Sequence, residues 1–289
     1  MPNHDSGIVK LYKMIFKTLQ NTSIEDLTSA FNESFQNYFV PIHFTPEQLL
    51  RKFKAEGVKL NLSVGAFEAH KLVGFILHAT NEETGNAIAY NSGTGVIPEY
   101  RGQTLTTKMY GFIFPVLKSA GARKVILEAI TANEKAIRIY KKLNFEIIRK
   151  VNCYKGTLTF PPNLAQDNIS DQKKRDASEL KELWDFEPTW QNSFYVVERQ
   201  PELITNLFVE KENKIVGYLL LNNNNVMQFA VHKDFRKQGI GTALFRKAAE
   251  LKNELRLINV DSGHEPTSLF LEYIGLPYTL SQYEMELLL

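Results

Sequence analysis

This chain has almost no cysteine, little net charge and no long apolar run, and each absence removes a class of protein. Cys153 is the one cysteine among 289 residues, so an intramolecular disulfide framework is excluded. The formal net charge is +2, with no long Lys/Arg run, so the concentrated basic footprint of a nucleic-acid binder is missing. No segment approaches the ~18 consecutive apolar residues of a membrane helix. The opening "MPNHDSGIVKLYKMIF" lacks the uninterrupted apolar core of a signal peptide. G-x-G-x-x-G and G-K-[ST] are both absent, which argues against a dinucleotide-binding fold and a Walker loop. What remains, 44% hydrophobic and 23% charged residues, is the composition of a packed globular protein. The expectation is a cytoplasmic chain with no membrane or nucleic-acid partner.

The same plan is written twice. "MIFKTL" reads as a short strand, and "TSIEDLTSAFNESFQNYF" as an amphipathic helix, with Thr22 and Glu25 as a capping box and Ile24, Leu27, Phe31, Phe35 and Tyr38 at helical spacing. "KLVGFILHA" and "KIVGYLLLN" read as equivalent strands, each feeding a hairpin, through "NEETGN" in one case and through Asn222 to Asn225 in the other. Gly74 matches Gly217 at a separation of 143 positions, and Arg101 matches Arg236 at 135, so the second hairpin region is eight residues shorter. Loops absorb such a change cheaply. "FPPNLAQDNISDQKKRD" has two prolines and no apolar period, so it reads as a connection. The expected domains are 1–159 and 176–289, each folding separately, with a linker at 160–175.

The chemistry concentrates in two turns. "PEYRGQTLTTKMY" and "KDFRKQGIGTALF" each carry an arginine into a short polar turn that passes at once into a helix. Such a turn aims unpaired backbone N–H groups and the positive end of the helix dipole at one point, which favours an anion such as phosphate. Gly239 and Gly241 would let the backbone approach a pyrophosphate, with Arg236 adding charge-assisted hydrogen bonds. The competing reading is an ordinary strand-to-helix connection.

"GVIPEYRGQTLTTKMY" and "FAVHKDFRKQGIGTALF" resemble the cofactor-binding motif of the GNAT superfamily of N-acetyltransferases, R/Q-x-x-G-x-G/A. "LEAITANEKAIRIYKKLNF" is similar to that family's N-x-x-A-x-x-x-Y-x-x-x-G-F, with Asn133, Ala136, Tyr140 and Phe145 in register and Asn144 in place of the glycine. The resemblance implies an α/β (α+β) fold of two tandem domains, each a mixed, mostly antiparallel twisted sheet flanked by helices. It implies acetyl-CoA as cosubstrate and no metal. The implied cofactor residues are Val96, Ile97, Arg101, Gly102, Gln103, Thr104, Leu105, Thr106 and Asn133 in the first copy. In the second they are Val231, Arg236, Lys237, Gln238, Gly239, Ile240 and Gly241. The first turn has Thr104 and Thr106 where the motif has small residues.

By the same resemblance Tyr140 would be the general acid that protonates the leaving thiolate, and Asn133 would hold the pantetheine or the start of its helix. Ala136, Tyr140 and Leu143 also lie on one helix face, the spacing of a core tyrosine. In the second copy, "DSGHEPTSLFLEYIGLP", His264 stands at the asparagine position and Leu271 at the tyrosine position, and leucine carries no proton. Tyr273, two residues on, should point elsewhere. Glu128 is the nearest carboxylate that could serve as base, or else an exposed strand glutamate; His43 and His78 are base candidates or packed residues. "EPTWQNS" lines an acceptor pocket or buries its tryptophan.

The first copy is therefore read as catalytic, moving acetyl from acetyl-CoA to a primary amine of a small molecule or peptide by direct attack. The second is read as a degenerate copy that retains coenzyme A binding. Two alternatives stand: catalysis in the second copy, and a non-catalytic acyl-CoA sensor or interaction module.

Overall fold

The computed structural model describes residues 13–81, 85, 87–160, 169–170 and 176–289. The hairpin turn expected at 81–86 and the linker expected at 160–175 lie mostly outside them. Two compact units are present: 1–53, 58–123 and 289 form the first, 54–57 and 124–288 the second.

The first unit runs β1 (Met14–Thr18), α1 (Ile24–Phe35), α2 (Pro46–Glu56), whose last turn counts with the second unit, β2 (Val64–Glu68), β3 (Lys71–Thr80), β4 (Ile88–Val96) and α3 (Leu105–Ser119). Its strands lie in the order β1-β2-β3-β4, all antiparallel. The helix after β1 starts one residue later than its expected box: Ser23 is the cap, its Oγ accepting from the Asp26 amide at 3.1 Å. A capping box does form on α2, where Thr45 and Gln48 bond reciprocally at 2.8 and 3.2 Å. Leu27, Ala30 and Phe31 bury the inner face of α1, and Phe31 stacks on Phe75 of β3 with ring centroids 5.5 Å apart. Burial of side chains of this size stabilises by about 1.5–3 kcal/mol each.

The second unit contains β5 (Lys124–Ile130), α4 (Glu134–Lys142), β6 (Glu146–Gly156), β7 (Ile169–Ser170), α5 (Ala177–Lys181), α6 (Phe194–Glu198), β8 (Ile204–Lys211), β9 (Lys214–Asn222), β10 (Asn225–Val231), α7 (Ile240–Leu251), β11 (Leu255–Asp261), α8 (Glu265–Tyr273) and β12 (Tyr278–Leu288). Its strand order is β5-β12-β6-β11-β10-β9-β8-β7. The C-terminal strand β12 lies between β5 and β6 and is antiparallel to both, while β6 is antiparallel to β11 on its other side. Strands of the two sequence repeats thus alternate, so packing divides the chain at Arg123/Lys124 although the repeat turns over near 160. The core of this unit gathers under α7, where Ile240, Leu244, Phe245 and Ala248 pack with Leu219, Leu257 and Leu271; Leu251, at the end of the same stripe, is 44% exposed.

The repeat is visible in register. Gly74 pairs with Val96 in the first copy and Gly217 with Val231 in the second, so the strand end before each arginine turn faces the equivalent glycine. A Cβ on Gly217 would sit 2.6 Å from Ile240 Cγ2, so only glycine lets the first turn of α7 press onto β9. The hairpin between β9 and β10 turns on Asn223, at φ 52°, and Asn224. Among the described residues no helix is long and apolar enough to cross a membrane.

Candidate functional site

The two arginine turns share a backbone but place their glycines differently. Each turn has two residues in the left-handed region: Gly102 (φ 79°) and Thr104 (58°) in the first copy, Lys237 (58°) and Gly239 (90°) in the second. Each copy therefore spends one glycine and forces one other residue into this region; the glycine is third after the arginine in the second copy and first after it in the first. Thr104 nevertheless stands as N-cap of α3 with the same hand as Gly239 on α7. Its hydroxyl donates to the Gln103 carbonyl at 2.6 Å, so in this arrangement it adds no donor to the turn. A β-branched residue held left-handed costs roughly 1–2 kcal/mol. Thr104→Gly is expected to stabilise the chain by about 1 kcal/mol, read by denaturant unfolding, and Gly102→Ala to destabilise it by a similar amount. Equal midpoints for wild type and Thr104→Gly would refute the strain.

Both arginines are committed to the protein. Arg101 Nε donates to the Val96 carbonyl (3.1 Å) and Nη2 to the Ser34 carbonyl at the end of α1 (2.8 Å). Arg236 repeats this, with Nε on the Val231 carbonyl (3.0 Å) and Nη2 on both Asp185 oxygens (2.8 Å each). The motif arginine staples the strand end to the last turn of α1 in the first copy and to the segment after α5 in the second. An anion at the turn would meet backbone amides first.

Beyond the second turn lies a cleft of ≈ 720 Å³. Its origin is a failed strand pairing. β10 and β11 are parallel neighbours that share one register pair, Asn225 with Arg256, and no ladder joins them beyond it. Both strands are irregular here: β10 shifts register against β9 between Val226 and Gln228, and β11 against β6 between Leu257 and Val260, with Asn259 at φ 58°. Bulges bend strands apart. The α7 N-terminus enters from one side through Gly239, Ile240, Gly241 and Thr242, and the α8 N-terminus from the other through His264, Pro266 and Thr267. A Cβ on Gly241 would come within 3.0 Å of the Phe270 ring, so this glycine sets how closely α7 and α8 approach.

Most of the polar groups in the back wall are mutually satisfied. Trp184 Nε1 donates to the Tyr218 hydroxyl (2.7 Å), which donates to Gln228 Oε1 (3.1 Å), and Gln228 Nε2 donates to the Asn192 carbonyl (2.6 Å). Burial pushes the Tyr218 phenol well above its ordinary value, against the opposing Trp184 donor, so it is a poor acid. Asn259 Oδ1 accepts from Gln282 (2.6 Å) and its amide reaches Gln191 (3.4 Å). In "EPTWQNS" the tryptophan is buried: Trp190 is 4% exposed with its indole donating to the Glu56 carbonyl (3.0 Å), while Pro188 and Asn192 line the cleft.

At the mouth, four side chains from three segments form a chain that no motif announced. Asp185, held by Arg236, lies 3.7 Å from His264 Nε2, and His264 Nδ1 is 2.8 Å from Thr267 Oγ1. Asp185 follows α5 in sequence and reaches this point only through the tertiary fold.

The other sequence candidates lie elsewhere. The first turn, with Val96, Ile97 and Arg101 to Thr106, belongs to the first unit, whereas Asn133, Tyr140 and Glu128 belong to the second. Asn133 caps α4, its Oδ1 accepting from the Ala136 amide at 3.2 Å. Tyr140 is 8% exposed, with Phe145 edge-on at 5.6 Å. Asn144 (φ 67°) and Gly275 (φ 76°) end α4 and α8 in the same left-handed way, and Phe145 N and Leu276 N return to the Tyr140 and Leu271 carbonyls at 3.0 Å each. Tyr140 and Leu271 are thus true equivalents. Leu271 is fully buried, while Tyr273 lines the cleft. Glu128 is half-buried on β5 in register with Glu284 of β12, which holds Arg149. Neither Tyr140 nor Glu128 is among the residues lining the cleft.

The sequence model of the acetyltransferase (GNAT) family matches residues 24–145 and 168–266. N-alpha-acetyltransferase 30 of Schizosaccharomyces pombe is 26% identical over 122 residues, 42% of this chain and 71% of that protein. Among solved structures, a GCN5-related N-acetyltransferase from Sphaerobacter thermophilus superposes with TM-score 0.71 at 14% identity, covering 95% of each chain. A tandem GNAT protein from the clavulanic acid biosynthesis pathway superposes with TM-score 0.68 at 8% identity, covering 96% of this chain and 98% of that one.

Proposed function

Because the chain belongs to the acetyltransferase (GNAT) family, as an N-acetyltransferase with two copies of the module, we propose that its second copy holds acetyl-CoA in the β10–β11 cleft. There the acetyl group passes to a primary amine by direct attack. One observation carries this reading: two parallel strands part after a single pair and open a cavity whose mouth is a glycine turn at the positive end of α7. The amides around Gly239 and Gly241 suit a pyrophosphate. The unladdered edges of β10 and β11 suit the amide-bearing pantetheine arm, which can pair with them as a strand would. The amine nitrogen forms the new C–N bond as the thioester C–S bond breaks. The acceptor is a small-molecule or peptide amine, a class that includes the acceptor implied by the name of the fission-yeast relative.

The second reading keeps the domains at 1–159 and 176–289 and puts transfer in the first copy, with Tyr140 as acid, Glu128 as base and Asn133 beside the pantetheine. It is favoured by the N-cap at Asn133 and the left-handed Asn144, which reproduce the motif around Tyr140.

Thiol release from acetyl-CoA against an amine panel separates the two. Changing Gly239 and Gly241 together to valine is expected to weaken acetyl-CoA binding at least tenfold, about 1.4 kcal/mol, and to lower turnover in proportion. Tyr140→Phe is expected to leave turnover within about threefold. If Tyr140→Phe abolishes turnover and the glycine changes do not, the first copy is the catalytic one.

A further inference from the structure

The second copy has leucine where the family motif has its tyrosine, so a reaction in its cleft needs another group to carry the proton. Resting on the reading that acetyl transfer occurs there, we propose that His264 is that group, with Asp185 and Thr267 as its positioning residues. Among the described residues, six that line the cleft bear ionisable side chains: Asp185, Tyr218, Arg236, Lys237, His264 and Tyr273. Only a histidine ordinarily exchanges its proton near neutrality. Tyr218 is disqualified by its buried, fully bonded hydroxyl, and Tyr273 is 78% exposed at the rim.

His264 is built into the wall. It stands as the N-cap residue of α8 without a cap bond from its side chain to a backbone amide, so the ring is released from the role that Asn133 performs on α4. Thr267 Oγ1 fixes Nδ1, and a hydroxyl can donate or accept, so it holds the ring in either protonation state. Nε2 is the nitrogen that exchanges the proton: Asp185 lies 3.7 Å from it, too far for a hydrogen bond but close enough to stabilise the imidazolium while it lasts. The charged groups around the ring are Asp185, from the segment after α5, and Arg236, on the far side of that carboxylate at the turn before α7. Phe186 covers the ring with centroids 5.7 Å apart.

The step balances. A neutral amine nitrogen bonds to the acetyl carbon and gives one proton to the imidazole. The C–S bond breaks, its electron pair stays on sulfur, and the imidazolium returns that proton to the thiolate. The products are the N-acetyl amine and the free thiol, and His264 ends as it began.

The test compares wild type with His264→Asn, which supplies the residue that already caps α4, and with His264→Gln. Acetyl-CoA affinity by calorimetry is expected to stay within threefold. kcat is expected to fall at least about 100-fold, the usual contribution of a positioned acid–base group. The inflection that a histidine gives the pH profile of kcat is expected to vanish in both variants. If acetyl-CoA binds and wild type turns over, but His264→Asn keeps a third or more of kcat with an unchanged pH profile, this proposal is overturned and the cleft reading survives. If Tyr273→Phe instead removes turnover and the inflection, the proton carrier is Tyr273 and the proposal is wrong. A wild type that neither binds acetyl-CoA nor turns over removes the cleft reading and this one with it.

Discussion

Deletion of residues 278–289 is expected to abolish the cooperative unfolding transition of the second unit. β12 is the strand between β5 and β6, in register from Gln282 with Ile130 to Leu288 with Lys124 on one side and from Tyr278 with Tyr154 to Glu286 with Glu146 on the other. Removing it leaves two facing edges of unpaired N–H and C=O groups, each of which must be satisfied by solvent or by another chain. Met285, fully buried, and the Arg149–Glu284 pair go with it. Arg149 would keep Asp261 (3.2 Å) and the Glu187 carbonyl (2.7 Å) but lose its more buried partner. Loss of a strand from the middle of a sheet exceeds the roughly 5–15 kcal/mol by which a domain of ordinary size is stable. The same reasoning applies to a fragment ending at residue 159, which would carry β5 and β6 with no strand between them. Circular dichroism, size exclusion and limited proteolysis on the 1–277 chain decide the matter. A monomeric product with a sharp thermal transition near that of the full chain would show that β12 is dispensable.

Acid is expected to unfold the first unit through one histidine. His78 on β3 is fully buried; its Nδ1–H donates to the Leu62 carbonyl at 3.0 Å, and among the described residues its Nε2 has no hydrogen-bond partner. Burial lowers its pKa to about 4, against the opposing effect of the Leu62 hydrogen bond. In the unfolded chain the ring takes its proton near 6.5. The folded state thus resists protonation that the unfolded state accepts, so the stability from keeping His78 neutral is complete above about pH 6.5. It is lost as pH falls toward 4, at about 1.4 kcal/mol per unit, or about 3 kcal/mol in all. Denaturant unfolding at pH 7 and pH 4 should show wild type losing about 3 kcal/mol more than His78→Gln across that interval. Equal losses would mean that other groups control the acid transition. The packed reading of His78 is the one that the structure supports, and a ring so placed is no base.

Much of the local fold could be read in the residues. The matched strands "KLVGFILHA" and "KIVGYLLLN" became β3 and β9, the Asn222–Asn225 turn lies where its asparagines suggested, and the fold is the expected mixed sheet flanked by helices. These are short-range properties: β-branched runs, turn residues and helical periods act within a few positions. The errors were also local. Thr22 looked like the cap, but the chain entered the helix one residue later at Ser23. The first turn has threonines at the motif's two small positions, yet its Gly102 takes a left-handed position that the motif does not mark. Tyr273 does point away from the face of Leu271, as its spacing requires: Leu271 faces the core, while Pro266, Leu269, Phe270 and Tyr273 line the cleft.

The sequence by itself determined that one module is written twice, that each copy ends a strand in an arginine turn leading into a helix, and that the second copy has no tyrosine at the motif position. Those facts depend on residue identity and spacing along the chain. Only the tertiary structure decided that β12 enters between β5 and β6, that β10 and β11 part to leave a cleft, and that Asp185 meets Arg236 and His264 at its mouth. Each joins segments far apart in sequence, where pairing is set by which edges and faces remain to be covered once local elements have formed, and no spacing rule along the chain encodes that choice.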